Sequence, residues 1–133
     1  MSKAASPTSA DLPRKLARFI FSQRQYSIQK LRPKPSAFLP PPDLQTSAFG
    51  IDGSDEGGIR WIADNVVAKE SQRQPPPARA DISFEAVLAA QLAIVPDPAI
   101  HPRHVNICGW PAEKEKQLAA AQDLCVEATL KIR

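Results

Sequence analysis

His101-Pro-Arg-His-Val-Asn-Ile-Cys-Gly-Trp-Pro111 is the stretch on which the reading of this chain turns. Val105 and Ile107 alternate through it, which predicts a strand with both aliphatics facing a core and with His104, Asn106 and Cys108 on the opposite face. Gly109 permits a sharp exit from that strand, and Pro111 suits the first turn of a following helix. In that helix Leu118, Ala121, Leu124, Cys125 and Ala128 make the buried face, while Lys131 and Arg133 suit its negative end. The same eleven residues hold both histidines, one of two cysteines and one of two tryptophans. A site is sought there first.

Working outward, Leu12 to Ser22 fits either a helix or a strand, and the β-formers of Arg18-Phe-Ile-Phe-Ser22 favour a strand starting after Pro13. Gln23 to Pro35 is polar and basic, and Ser36-Ala-Phe-Leu39 reads as a brief strand stopped by Pro40-Pro-Pro42. Thr46 to Ile51 reads as another strand, with Phe49 and Ile51 on one side. Ser54 is the expected cap of a helix whose stripe is Ile59, Ile62, Ala63, Val66 and Val67. Gln72 to Ala80 is a stiff connector. Asp81 or Ser83 then caps a short helix burying Phe84, Val87 and Leu88, and Leu92-Ala-Ile-Val95 is a strand. The order predicts an α+β domain: one small mixed or antiparallel sheet with two main helices packed on one face.

The chain has 133 residues, enough for one domain, and 14 prolines force irregular connections between short elements. Residues 1–12 are expected to be a flexible lead-in and 13–133 the domain. The net charge of +3 hides an asymmetry: eight basic residues oppose only Asp11 in the first 34 positions, leaving that stretch at +7 and the remainder at −4. A basic arm on an acidic body invites an anionic ligand or a protein partner. With Phe19, Phe21 and Tyr26 interleaved, nucleic acid is a further candidate. The apolar runs are too short for a signal peptide or a membrane span, so a cytoplasmic protein with reduced thiols is expected.

Two functional readings follow. In the first, the chain is a non-catalytic binding or accessory module, acting through Arg14, Lys15, Arg18 and Arg24 and the surface around His104, Asn106 and Trp110. In the second, it is a small enzyme acting on a phosphate-containing or nucleic-acid substrate, with His101 and His104 as acid and base and Arg103 toward the anion. Trp110 is a candidate anchor for a partner, because large rigid aromatics dominate interface energetics, and Trp61 is a second. His101, His104, Cys108 and Cys125 total four zinc-binding side chains, but their spacing lacks the two paired halves of a structural site. No metal or cofactor is expected.

Arg18 on a first strand and Thr46-Ser47 on a later one resemble the arginine and Ser-Thr-Ser features of ADP-ribosyltransferases. Ala48 stands at the second serine position and no Glu-x-Glu or Gln-x-Glu follows, so the resemblance stops before the catalytic residue. Lys34-Pro-Ser-Ala-Phe-Leu-Pro40, Arg79-Ala-Asp81 and His104-Val-Asn-Ile-x-Gly-Trp-Pro111 together resemble a family of small uncharacterised bacterial proteins. That likeness runs from about Arg18 onward. It implies a stand-alone domain and carries no activity.

Overall fold

In the computed structural model, which describes residues 12–133, the first strand follows Pro13 as its β-formers predict. Strand β1 (Lys15–Ile20) is apolar on both sides: Leu16 and Ile20 join one buried cluster, Ala17 and Phe19 another. Strands β2 (Tyr26–Ser27) and β3 (Arg32–Pro33) form a small ribbon. The strand expected over Ser36–Leu39 is replaced by a 3-10 turn at Pro35–Ala37, since proline presets a helical φ and lacks a ladder donor. Strands β4 (Thr46–Gly50), β5 (Ala78–Ser83), β6 (Ala93–Pro96), β7 (His104–Cys108) and β8 (Thr129–Ile132) join β1 in one antiparallel sheet, ordered β6-β7-β4-β1-β5-β8.

The α+β class with a single main sheet is therefore as expected, but the helices lie on both faces. Helix α1 (Glu56–Ile62) continues through a π-helical turn, Ala63–Val67, into α2 (Ala68–Ser71). It buries Ile59, Ile62 and Ala63 against Ala17, Phe19, Phe49 and Ile51. Helices α3 (Phe84–Ala89) and α4 (Lys114–Glu127) cover the other face, where Phe84, Val87 and Leu124 meet Leu16, Ile82 and Ile107. A one-sided arrangement would leave Phe19, Phe49 and Ile51 in water, at a cost of roughly 1.5–3 kcal/mol for each large side chain.

Local corrections have equally local causes. Asp55 rather than Ser54 caps α1, its carboxylate accepting from the Gly58 N–H at 2.8 Å. Ser83 caps α3 by accepting from Ala86 at 3.0 Å, and Leu88 faces outward. Helix α4 begins at Lys114, beyond Pro111, and buries Gln117, Ala120, Ala121 and Leu124; Leu118 is exposed, and Cys125 and Ala128 are half-buried. Lys131 and Arg133 do not complete this helix. The chain leaves it at Ala128 to form β8, an edge strand paired with β5. Val105 and Ile107 are buried as their alternation predicts, and Gly109 makes the turn beyond them at φ +86°. The flexible lead-in expected over 1–12 falls, apart from Leu12, outside the described residues. Among the described residues, no helix is long and apolar enough to cross a membrane.

Candidate functional site: a cleft floored by Arg18, Ser47 and His104

β1 pairs with β5 along its whole length but with β4 only at Leu16↔Gly50 and Ala17↔Phe49. Past Ala17 the seam opens, and the Arg18 side chain takes over as donor across it. Its Nε donates to the Ala37 carbonyl at 2.9 Å and its Nη1 to the Ser47 carbonyl at 2.8 Å. Among the described residues, no carboxylate lies within ion-pairing distance of this guanidinium. Burial without a counter-charge pushes the Arg18 pKa down to about 10, which still leaves it cationic at neutral pH. A guanidinium carries five N–H donors, so two contacts leave others unclaimed.

A cavity of about 280 Å³ opens onto this seam, with Arg18, Ser47, His104, Glu70 and Ser71 as its polar lining. Phe19, Phe21 and Phe49 supply its aromatic walls. Val66, Val67 and Ile100 close it from the α1 side and from the β6–β7 loop. Both valines belong to the π-helical turn, which is wider than an α-helical one, carries an additional residue and re-aims the side chains after it. Such turns recur at functional sites, and here the turn forms part of the cavity wall.

The register of two strand pairs brings the polar groups together. Ser47 lies opposite Asn106 and Phe49 opposite His104, so Ser47 and His104 are diagonal neighbours on one face. Ser47 Oγ is 2.6 Å from His104 Nε2. The β6–β7 loop folds back so that the Asp97 N–H donates to the His104 carbonyl at 2.9 Å, which holds Asp97 beside the ring. His104 Nδ1 then lies 3.1 Å from the Asp97 carbonyl oxygen and 3.3 Å from its Oδ2. Both groups facing Nδ1 are acceptors, so Nδ1 carries the proton and Nε2 is left to accept from the Ser47 hydroxyl.

The other predicted site residues are dispersed. His104 is on the face that alternation predicts, yet it is only 3% exposed, because Phe49 and the α1 layer cover that face. His101 Nδ1 accepts from the Arg103 N–H at 3.0 Å, and its ring meets the edge of Phe49. Both nitrogens of His104 are engaged elsewhere, so the two imidazoles share no hydrogen bond. Arg103 donates to the Gly50 and Asp52 carbonyls and ties the loop down. Trp110 is buried, its indole N–H donating to the Ile107 carbonyl at 3.0 Å, which removes it as a surface anchor; Trp61 is exposed. Asn106 is half-buried on the His104 face.

The basic residues likewise do not converge. Asp52 accepts from the backbone amides of Arg14 and Lys15, and the Arg14 guanidinium lies over the Phe84 ring at 4.4 Å. Lys15 and Arg24 are exposed, whereas Arg18 is enclosed. Cys125 packs with the α4 cluster, on the face opposite His104, which divides the four nominal zinc-binding side chains. Burial pushes its thiol up to about 11 and also raises that of Cys108, so neither is an activated nucleophile. Among the described residues, no group of three or more His, Cys, Asp or Glu side chains is arranged to hold a metal ion.

Ser47 is singled out by the sequence only through a partial resemblance, and Glu70, Ser71, Asp97 and Ile100 carry no signal there of a place at the cleft. The parity that put Phe49 and Ile51 on one side of a strand also put Ser47 there, which was the available signal. Comparison of the chain with protein-family models, with curated proteins and with solved structures finds no match.

Proposed function

We infer that this protein is a small-molecule binding module whose ligand is an anion with a compact apolar body, held in the cleft between β1, β4 and the α1 layer. The carrying observation is the Arg18 guanidinium, enclosed without an ion-pair partner in a cavity walled largely by Phe19, Phe21, Phe49, Val66, Val67 and Ile100. A buried charge costs several kcal/mol unless it is paired, and a ligand carboxylate or phosphate supplies the missing partner. The phenylalanines and valines take the apolar body, and the cavity lies near the lower bound of about 300 Å³ for small-molecule pockets. The binding-module reading of the sequence is kept, with its centre moved from the basic arm to this cleft. The same reading keeps the protein in the cytoplasm, where the free Cys108 and Cys125 stay reduced.

Calorimetric titration with benzoate, butyrate and benzyl phosphate tests it. At least one of these probes should bind the wild type saturably and fail to bind Arg18→Met. Absence of wild-type binding to all three, or equal binding by Arg18→Met, overturns the reading.

A further inference from the structure

We propose that Ser47 and His104 perform acyl transfer in this cleft, hydrolysing small carboxylic esters, with Asp97 as the positioning residue. The inference rests on the binding reading above and gives its ligand a chemistry: the carboxylate released is the anion that Arg18 is placed to hold. Three independent geometric facts meet here. The Ser47 hydroxyl is within hydrogen-bonding reach of an imidazole nitrogen, at 2.6 Å. The other nitrogen of that ring faces only acceptors, all on Asp97, which holds the tautomer with a bare Nε2. Both side chains line a cavity that also holds a cation bonded to the Ser47 carbonyl, with Glu70 and Ser71 as its remaining polar residues.

The step balances without a further reagent. Ser47 Oγ attacks the ester carbonyl carbon as its proton passes to His104 Nε2, and the carbonyl oxygen becomes an oxyanion. The unclaimed N–H groups of Arg18 stand beside Ser47 to receive that charge. The oxyanion collapses, the bond from the acyl carbon to the leaving oxygen breaks, and the departing alkoxide takes the proton from His104. An acyl group now sits on Ser47. Water attacks it, gives its proton to His104 and releases the carboxylic acid, while Oγ recovers its hydrogen from His104. The apolar walls of Phe19, Phe21 and Phe49 select a short aliphatic or single-ring acyl group.

The test follows hydrolysis of p-nitrophenyl butyrate and p-nitrophenyl benzoate by the full chain, with intact-mass and peptide-mapping analysis after exposure to a fluorophosphonate. Hydrolysis above buffer and a phosphonyl group mapped to Ser47 are expected. Ser47→Ala and His104→Gln should each lose about 100-fold or more in rate. Asp97→Asn should lower kcat with KM nearly unchanged, a split that simple loosening of the cleft would not give. Because His104→Gln replaces a buried side chain, the fluorophosphonate adduct on wild-type protein provides evidence independent of that variant's folding. Labelling at another residue, or wild-type hydrolysis no faster than Ser47→Ala, overturns the proposal. Saturable carboxylate binding with no acyl transfer overturns the acyl-transfer step while leaving the binding reading intact; absence of both overturns both.

Discussion

Arg79 on β5 and Arg18 on β1 lie on adjacent strands of one sheet, and both carry a guanidinium out of water. Around Arg79, Glu56 of α1 accepts two hydrogen bonds at 2.8 and 2.9 Å and Asp81 accepts at 2.9 Å. Burial alone lowers the Arg79 pKa, but the hydrogen bonds it donates to Glu56 and then to Asp81 outweigh it and hold the group firmly charged. Around Arg18 the acceptors are two neutral carbonyls, and burial acts unopposed. The chain supplies the counter-charge in one place and withholds it in the other. Arg79 fastens α1 to the sheet, whereas Arg18 is left with capacity for a partner from outside.

The largest effect should come from breaking the compensated site. Arg79→Met leaves the largely buried Asp81 without its cation and should cost about 3–5 kcal/mol in urea denaturation. Arg18→Met removes a desolvated charge and two hydrogen bonds together, and these losses offset, so its stability should stay within about 1 kcal/mol of wild type. Equal destabilisation by the two substitutions would erase the contrast. The next effect concerns the ligand. A carboxylate at 100 times its dissociation constant should stabilise wild type and Arg79→Lys by about 2.7 kcal/mol and leave Arg18→Met unmoved, read by thermal unfolding.

The smallest effect is a pH dependence on the Arg79 side. The hydrogen bond from Arg79 holds the Glu56 carboxyl below its ordinary value of 4.5, so the folded state binds that proton less readily than the unfolded chain. The contribution is therefore complete above that ordinary value and is lost as pH falls through the lowered one. Melting temperatures from pH 7 down to acid should converge for wild type and Glu56→Gln, with screening of this exposed carboxylate keeping the gap small. A gap that widens on acidification would contradict the assignment.

Much of the sheet was legible because alternation is a local property. Strands β1, β4 and β7, the α1 stripe and the Ser83 cap all follow from residues within one element. Strand β8 was not legible, since Thr129-Leu-Lys-Ile132 follows a helix directly and is too short to set a period of its own. The sidedness of the helices was also hidden, because the apolar residues on both sides of β1 and β4 matter only once the strands lie together. The cleft was half visible: His104 and Arg18 stood out as residue types, but Ser47 and Asp97 acquire their importance only from strand register.

The amino-acid order alone determined that Val105 and Ile107 face one way and His104 and Asn106 the other, because successive side chains on an extended backbone must diverge. It also determined that Arg18 stands among the apolar residues Leu16, Ala17, Phe19 and Ile20. Only the tertiary structure decided that the His104 face is covered, that Ser47 meets the ring, and that no acid of the described residues forms an ion pair with Arg18. Those outcomes depend on which distant strands become neighbours, and that is set by burying two apolar faces of a sheet at once.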